Sequence, residues 1–598
     1  MAKDLIKRSE VSAGDKWDLE RIFKSRDELH QNIEKLKGMI PEISDYQGKL
    51  DNAETIKKCF ESKEKIERLL QKINTYTSLR YNEDLTNKET QADNMLGTNL
   101  YVDYSNRSSY ITPEIMGLSD EKLKELYESE TLDKYRFLLQ RMMDLKKHIL
   151  SKDKEEAYAS LSEVRNASQS TYSIFTNAEL KFPEIEDSEG NKHPLSQANY
   201  TSFMHSKDRT LRKNAFTALH TAYGQFESTL ASLLTTSMKS WNVDTAARGY
   251  SDPVEKALKV NDIPTAVFYN SLETVEKGIA TLKRYVELKK KMLGLDEMHL
   301  YDLYVPLNSG TSKKYTFDEG VIMAVKGLKP LGEDYVSVFK SGIENGWIDR
   351  YPNVGKRSGA YSSGSYDTLP YISLNFNGEY NDVSTMVHEM GHSIHTWYSV
   401  NNQPYEYARY SIFLAEVAST CSEKLLIHDQ IKNTEDRDTK IALLNQELEQ
   451  VRTTVFRQLM FAEFEKITHE KLIKGEALTA ADLDRIWLEL NTKFYGDVCV
   501  IDDEIKYEWS RIPHFYNDFY VYQYATGFSA ASSFTRMILE KGEEAATRYI
   551  DKFLKAGASK YPVDVLKDAG VDMTSPQPML DTIHNFSRLI DELEAMAQ

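Results

Sequence analysis

Cysteine is scarce in this chain, with 3 in 598 residues. Cys59, Cys421 and Cys499 are scattered and odd in number. That excludes a disulfide framework and fits reduced thiols in a cytoplasm. Positive charge is also short. Lys and Arg number 75 against 92 Asp and Glu, for a net charge of −17. With no basic stripe, nucleic acid is excluded as the expected partner. The start, Met1-Ala2-Lys3-Asp4, lacks the apolar core of a signal peptide, and no hydrophobic run is long enough to span a membrane. No fixed-period repeat, low-complexity tract or extended heptad run stands out. What remains is an ordinary globular composition, 41% hydrophobic and 28% charged, mostly in helical periodicity. Leu272, Val275, Ile279, Leu282 and Val286 recur after a helix start at Asp262-Ile263-Pro264. Leu444, Leu448, Val451, Val455 and Leu459 form a second such stripe, long enough for a scaffold helix.

Against this background stands His388-Glu389-Met390-Gly391-His392. Histidines four apart on a helix project from one face, about one turn from each other, so both imidazoles can reach one tetrahedral Zn²⁺. The Glu between them lies about 100° around the helix, free to handle a metal-activated water. Alone, the pentapeptide also fits a helix with two surface histidines. Its surroundings argue for burial. Asn381-Asp382 offers an N-cap, and Val383, Met386, Val387, Met390, Ile394 and Trp397 recur at helical spacing. His395 reads equally as a packed histidine or as one facing the site.

Catalytic zinc takes three protein ligands and keeps a fourth position open. A metzincin would place Gly and His after the second histidine where this chain has His395 and Tyr398, and a thermolysin-like Glu would fall at Ile412. The next well-placed carboxylate is Glu416. It sits in a segment whose apolar stripe is Leu414, Ala418, Cys421 and Leu425, so it too reads as a buried helix. A loop through Asn401 to Pro404 would let the two helices pack side by side. Glu406 and Glu423 compete for the role, the first from a loop and the second from two turns further along.

The combination of H-E-x-G-H with Ala415-Glu416-Val417-Ala418-Ser419 resembles the oligoendopeptidase F branch of the thimet-oligopeptidase-like metallopeptidases. Further segments resemble that branch: Tyr361 to Tyr366, Leu369 to Gly378, Ser206 to Arg209, Phe456 to Glu465, and Ile512 to Gly527. The resemblance spans essentially the whole chain, from Trp17 to the C-terminal helix. It implies a mostly α, two-lobed helical metallopeptidase with a deep central cleft and a small β-sheet beside the zinc helix. It also implies one catalytic Zn²⁺ and internal cleavage of short unstructured peptides; a monomer that binds neither nucleic acid nor membrane is the accompanying expectation. In the family, a His and a Tyr from the Ile512–Gly527 segment orient substrate and stabilise the tetrahedral intermediate. His514 and Tyr520 fall on matching positions, with Glu389 as general base.

The residues themselves supply a parallel reading. From Tyr371 to Asn377 polar and apolar residues alternate, a half-buried strand, and Pro370 points to an edge. Such an edge could bind extended peptide backbone, with Tyr371, Ser373 and Asn375 at the substrate. The run from Gly359 to Gly364 reads as a loop closing on substrate. Tyr516, Tyr520 and Tyr524 repeat at i+4 and would share a helix face after Pro513, suited to donors for an oxyanion, though a tyrosine-rich core patch fits as well. The polar stretch from Pro183 to Asn199, with Gly190-Asn191, is the best break in the chain. It predicts an N-terminal helical lobe at 1–182, a connector or hairpin at 183–200 and a catalytic region at 201–598. Two alternatives stand beside this reading. A dipeptidyl carboxypeptidase like angiotensin-converting enzyme shares the ligand spacing. A non-catalytic peptide binder would have no need of Glu389.

Overall fold

A computed structural model describes residues 5–307 and 313–597. The protein is mostly α-helical, with two small sheets among the described residues. Its backbone forms two compact units, each assembled from separated stretches of chain. The first comprises 1–147, 313–429 and 534–571, and the second comprises 148–312, 430–533 and 572–598. These boundaries differ from a linear division at 182 and 201, because compactness depends on contacts between distant segments and not on where the polar linkers fall.

In the first unit, α1 (Ala53–Glu83) starts at Asn52, whose side chain accepts the Thr55 backbone N–H. Its buried face, including Ile56, Phe60, Ile66, Leu70 and Ile73, packs with Trp17, Leu29, Ile33, Leu36 and Tyr371 in one apolar core. In the second unit, polar residues 183–200 contain an antiparallel pair, β1 (Glu184–Glu186) and β2 (Lys192–Pro194). The helix expected after Asp262-Ile263-Pro264 is α2 (Thr265–Met292). Its Val275, Ile279, Leu282 and Val286 are buried, and its Tyr285 meets Phe586 edge-on, ring centroids 5.6 Å apart. The expected scaffold helix runs unbroken from Arg437 to Ile473, with a π-helical turn at Arg452–Phe456.

The second sheet, in the first unit, sits beside the zinc-motif helix. Its order is β3 (Ile348–Asp349), β5 (Tyr371–Ser373), β4 (Tyr361–Ser363). β5 pairs in parallel with β3, Ile348 opposite Ile372, and antiparallel with β4, Ser362 opposite Ile372. β5 is therefore the central strand, and the expectation of an edge at Tyr371 to Asn377 is corrected. Pro370 lies just before the strand, where its missing N–H costs no ladder bond. Tyr371 through Leu374 are all buried, so the apparent alternation is a fully covered strand with one small polar residue in it. The outer strands are β3 and β4, and β4 lies in the glycine- and serine-rich run expected to be a loop. Gly359, at φ +83°, makes the turn that leads into it.

Among the described residues no helix is long and apolar enough to cross a membrane. The three cysteines are buried, free thiols.

Candidate active site

The zinc-motif helix, α3, spans Tyr380–Asn402. Its N-cap is Glu379 and not the Asn381-Asp382 pair. Asp382 acts from the third helical position, accepting the Glu379 backbone N–H at 2.9 Å. Val383, Met386, Val387, Met390 and Ile394 are wholly buried, which anchors the helix and leaves His388 and His392 part-exposed on its flank. The following helix, α4 (Ile412–Asn433), carries Glu416. The two backbones touch at Gly391. A Cβ there would stand 2.6 Å from Ser419 Cα and 3.1 Å from the Ala418 carbonyl oxygen. The glycine of H-E-x-G-H, facing small residues on α4, is what lets the Glu416 carboxylate reach both imidazoles.

One ligand atom from each of His388, His392 and Glu416 lies within 4.8 Å of the others. Glu416 Oε2 is 3.4 Å from His388 Nε2 and 3.6 Å from His392 Nε2. A tetrahedral ion with bonds of about 2.1 Å places its ligand atoms about 3.4 Å apart, so the donor set fits zinc in both chemistry and spacing. Glu423, seven residues beyond Glu416 and hence on the same face of α4, stands behind the group. Its Oε2 lies 2.9 Å from His388 Nδ1, and its Oε1 accepts the Ser384 hydroxyl at 2.9 Å. It orients the His388 ring with Nε2 toward Glu416, the outer-shell arrangement typical of metal-binding histidines. Glu406 lies elsewhere, its carboxylate 3.0 Å from Lys134 Nζ.

The electrostatics follow from burial and two close carboxylates. Burial works to lower the His388 pKa, but hydrogen bonds to Glu416 and Glu423 prevail and raise it to about 10. Glu416, hydrogen-bonded to His388 and facing His392, is held at about 2 despite its burial. His392 is pushed down to about 4, by burial and then by the charge of His388. Glu389 is 7% exposed. Burial raises its carboxyl to about 7, opposed in part by a hydrogen bond from the Ser362 backbone. β4 is fastened to the same helix by a Ser362–Ser393 hydroxyl contact of 2.8 Å. His395 is fully buried and stacks on Tyr410, centroids 3.7 Å apart, a packing role.

Three residues expected at the substrate are engaged elsewhere. Tyr371 is fully buried in the core of the first unit and its hydroxyl donates to the Asp18 carbonyl at 2.9 Å. Ser373 is 1% exposed. The Asn375 amide donates to the carbonyls of Arg357 and Gly359, closing the turn before β4. Tyr371 and Ser373 lie on the central strand, whose pairing capacity is already used, and Asn375 lies beyond its end.

In the second unit, Pro513–Tyr516 is a short 3₁₀ turn, and the helix α6 begins only at Tyr522 (Tyr522–Lys541). The single helix face expected for Tyr516, Tyr520 and Tyr524 does not form. Tyr516 instead stacks on Tyr172, centroids 4.5 Å apart, and is 7% exposed. Between the two helices the chain turns through Phe519 at φ +57°, and this turn gathers a different trio. The rings of His514 and Tyr520 lie nearly parallel with centroids 6.3 Å apart, and Tyr524 stands edge-on to both, at 6.2 and 5.5 Å. Burial lowers the His514 pKa, which favours the neutral imidazole.

A helix bearing two imidazoles and a buried carboxyl, with a second carboxylate from the next helix, is the constellation of a metallopeptidase. Comparison with known proteins narrows the class. Residues 202–585 match the family model described as Peptidase family M3, and residues 114–182 match the one described as Oligopeptidase F. The oligopeptidase PepF of Bacillus subtilis is 44% identical over 597 residues, covering 100% of this chain and 89% of that protein. An oligoendopeptidase F homolog of Lactococcus lactis subsp. lactis is 37% identical, covering 100% and 99%. Among solved structures, oligoendopeptidase-F from Enterococcus faecium superposes with a TM-score of 0.73 at 34% identity, covering 95% of this chain and 99% of that one. The chain belongs to peptidase family M3, in its oligoendopeptidase F branch, and is a metalloendopeptidase.

Proposed function

We propose that this metalloendopeptidase uses one zinc ion, held by His388, His392 and Glu416, to hydrolyse internal bonds of short unstructured oligopeptides. The observation that carries the reading is the spacing of the three donor atoms, 3.4 and 3.6 Å along the measured edges. Bound there, zinc supplies a Lewis acid that polarises the scissile carbonyl and acidifies water. Glu389 is the general base. Its carboxyl, buried on the same helix as the two histidines, takes a proton from the attacking water and returns it to the leaving amine. Glu423 keeps His388 in the correct tautomer and orientation.

His514 and Tyr520, on the strength of the family resemblance and of their convergent rings, serve as donors to the oxyanion, with Tyr524 beside them. The outer edge of β4 pairs with the extended substrate backbone, which gives affinity without strong side-chain preference. The names of the relatives, oligopeptidase and oligoendopeptidase, support short peptides as the substrate class. Three buried, unpaired thiols support a reducing cytoplasm as the setting.

The test is a fluorescence-quenched peptide blocked at both ends. It is expected to be cut internally, to lose cleavage after exhaustive chelation, and to regain it with Zn²⁺ or Co²⁺. Removal of C-terminal dipeptides only, abolished by amidation, would replace this reading with a dipeptidyl carboxypeptidase. Binding of the peptide with no turnover at any metal loading would leave only a peptide binder.

A further inference from the structure

The run from Phe456 to Glu465 belongs to the chain's family text, yet nothing in the catalytic reading uses it. It lies on α5 (Arg457–Ile473), and its last residue, Glu465, is a fully buried carboxyl. Glu465 Oε1 accepts the Phe519 backbone N–H at 2.8 Å, and Oε2 has no hydrogen-bond partner. A buried carboxyl with no cation beside it is expensive to keep, which calls for a reason.

The reason lies in what Glu465 holds. Phe519 is one of two non-glycine residues with positive φ among those described, the other being Asp262. A bulky L-residue avoids this region because its Cβ crowds the following carbonyl. Such a conformation persists only when its surroundings over-determine it. Here the Phe519 ring is 1% exposed. It packs edge-on against Phe268, centroids 5.8 Å apart, and lies tilted against His469 at 4.7 Å. The preceding residue lies against the same helix. Asp518 Oδ1 lies 3.0 Å from His469 Nε2, and His469 Nδ1 lies 2.8 Å from Asn242 Oδ1. Glu465, which holds the Phe519 N–H, and His469, whose ring packs on the Phe519 ring, project from α5, four residues apart and hence from one face. The same turn carries the bonds from Asn517 N–H to the His514 carbonyl and from Tyr520 N–H to the Asn517 carbonyl, 2.9 and 3.1 Å.

We propose that Glu465, assisted by His469, is a positioning residue that clamps the left-handed turn at Phe519 and thereby sets the Tyr520 ring against His514 and Tyr524. This rests on the reading of His514 and Tyr520 as oxyanion donors. Without the acceptor, the buried Phe519 N–H is left unpaired, and the nearest relief is a return to negative φ. That rotation carries the next residue, Tyr520, away from His514. Burial, together with the nearby Asp518 carboxylate, raises the Glu465 pKa well above the ordinary range against the pull of the Phe519 N–H. Glutamine keeps the acceptor oxygen and the shape of the side chain, and can stand in for it.

The experiment compares Glu465→Gln, Glu465→Met and Tyr520→Phe in the zinc-loaded full chain. It reads kcat and KM on a blocked peptide, bound zinc, and backbone amide exchange across residues 515–523. Glu465→Met is expected to lower kcat about 10- to 100-fold with KM within about twofold, as for a misplaced transition-state donor. It should speed exchange in 515–523 while bound zinc stays unchanged, and Glu465→Gln should match wild type in every readout. Wild-type exchange in Glu465→Met overturns the clamp. Faster exchange with wild-type kcat, when Tyr520→Phe is itself impaired, overturns the link from clamp to Tyr520. A Tyr520→Phe enzyme with wild-type kcat ends the donor reading instead, and with it the catalytic half of the proposal, while exchange alone then decides the clamp. Should Glu465→Met not fold, His469→Leu removes the ring packed on Phe519 and must give the same paired loss.

Discussion

Gly391→Ala tests the geometry of the metal site without touching a ligand. The added Cβ would stand 2.6 Å from Ser419 Cα, whereas carbon atoms rest at about 3.5–4.0 Å. The backbones of α3 and α4 must therefore separate by roughly 1 Å, since a Cα atom cannot swing aside as a side chain can. Overpacking of this kind costs about 1–3 kcal/mol of stability. The same separation moves Glu416 away from His388 and His392, whose present distances of 3.4 and 3.6 Å match the tetrahedral edge. Zinc affinity is expected to fall about 10- to 100-fold, the scale of losses when a ligand's support is disturbed. Competition with a chromophoric chelator measures the affinity, and a thermal melt of the metal-free protein measures the stability. Because the clash is with Cα, adding Ser419→Gly should rescue neither. A Gly391→Ala protein with wild-type melting temperature and wild-type zinc affinity would refute the argument that glycine sets the approach of the two helices.

Other outcomes follow from the same site. Glu423→Ala should weaken zinc about 10- to 100-fold by freeing the His388 ring, while Glu416→Ala, which removes a ligand atom, should weaken it further. The reverse order in a chelator titration would exchange their roles. Glu389→Gln should retain one zinc per chain and lose about 10²–10⁴ in kcat, because the proton acceptor is gone and the ligands are untouched. Metal loss in that variant would count against the base assignment. In the second unit, His220 is fully buried, with Nδ1 2.8 Å from the Phe216 carbonyl oxygen and Nε2 unpartnered. Burial pushes its pKa down from 6.5 to about 4. The unfolded chain then binds more protons than the folded one between these values, so stability is full above pH 6.5 and is lost as pH falls toward 4. At pH 5 the loss from this residue is about 2 kcal/mol relative to pH 7.5. Urea midpoints for wild type and His220→Leu should therefore converge with acid, and a gap unchanged between pH 7.5 and 5 would contradict the neutral buried histidine.

Much of the metal site was legible in the residue order because it is built from local helix geometry. Two histidines four apart must share a face, and Val383, Met386, Val387, Met390 and Ile394 could only be that helix's buried stripe. Glu416 could be narrowed from the stripe of its own helix, with Glu423 as its rival; in the structure Glu416 Oε2 lies 3.4 and 3.6 Å from the two Nε2 atoms and Glu423 Oε2 lies 2.9 Å from His388 Nδ1. The seven-residue interval between the two carboxylates was the available signal. It says that they share a face, but not which of them meets the partner helix.

Where sequence reasoning failed, the deciding contacts were long-range. Alternation from Tyr371 onward could show that a strand was present, but not that Ile348 and Ser362 would flank Ile372 on both sides. The edge therefore passed to β4, inside a run whose glycine and serine content read as a loop. The i+4 repeat of Tyr516, Tyr520 and Tyr524 assumed one continuous helix. The reversal at Phe519 depends on Glu465, 54 residues away along the chain. Periodicity records which face of a segment is covered, because burial follows from the local repeat of the backbone. It cannot record what does the covering, since strand neighbours, a left-handed turn and the approach of two helices at Gly391 are fixed only when distant segments meet.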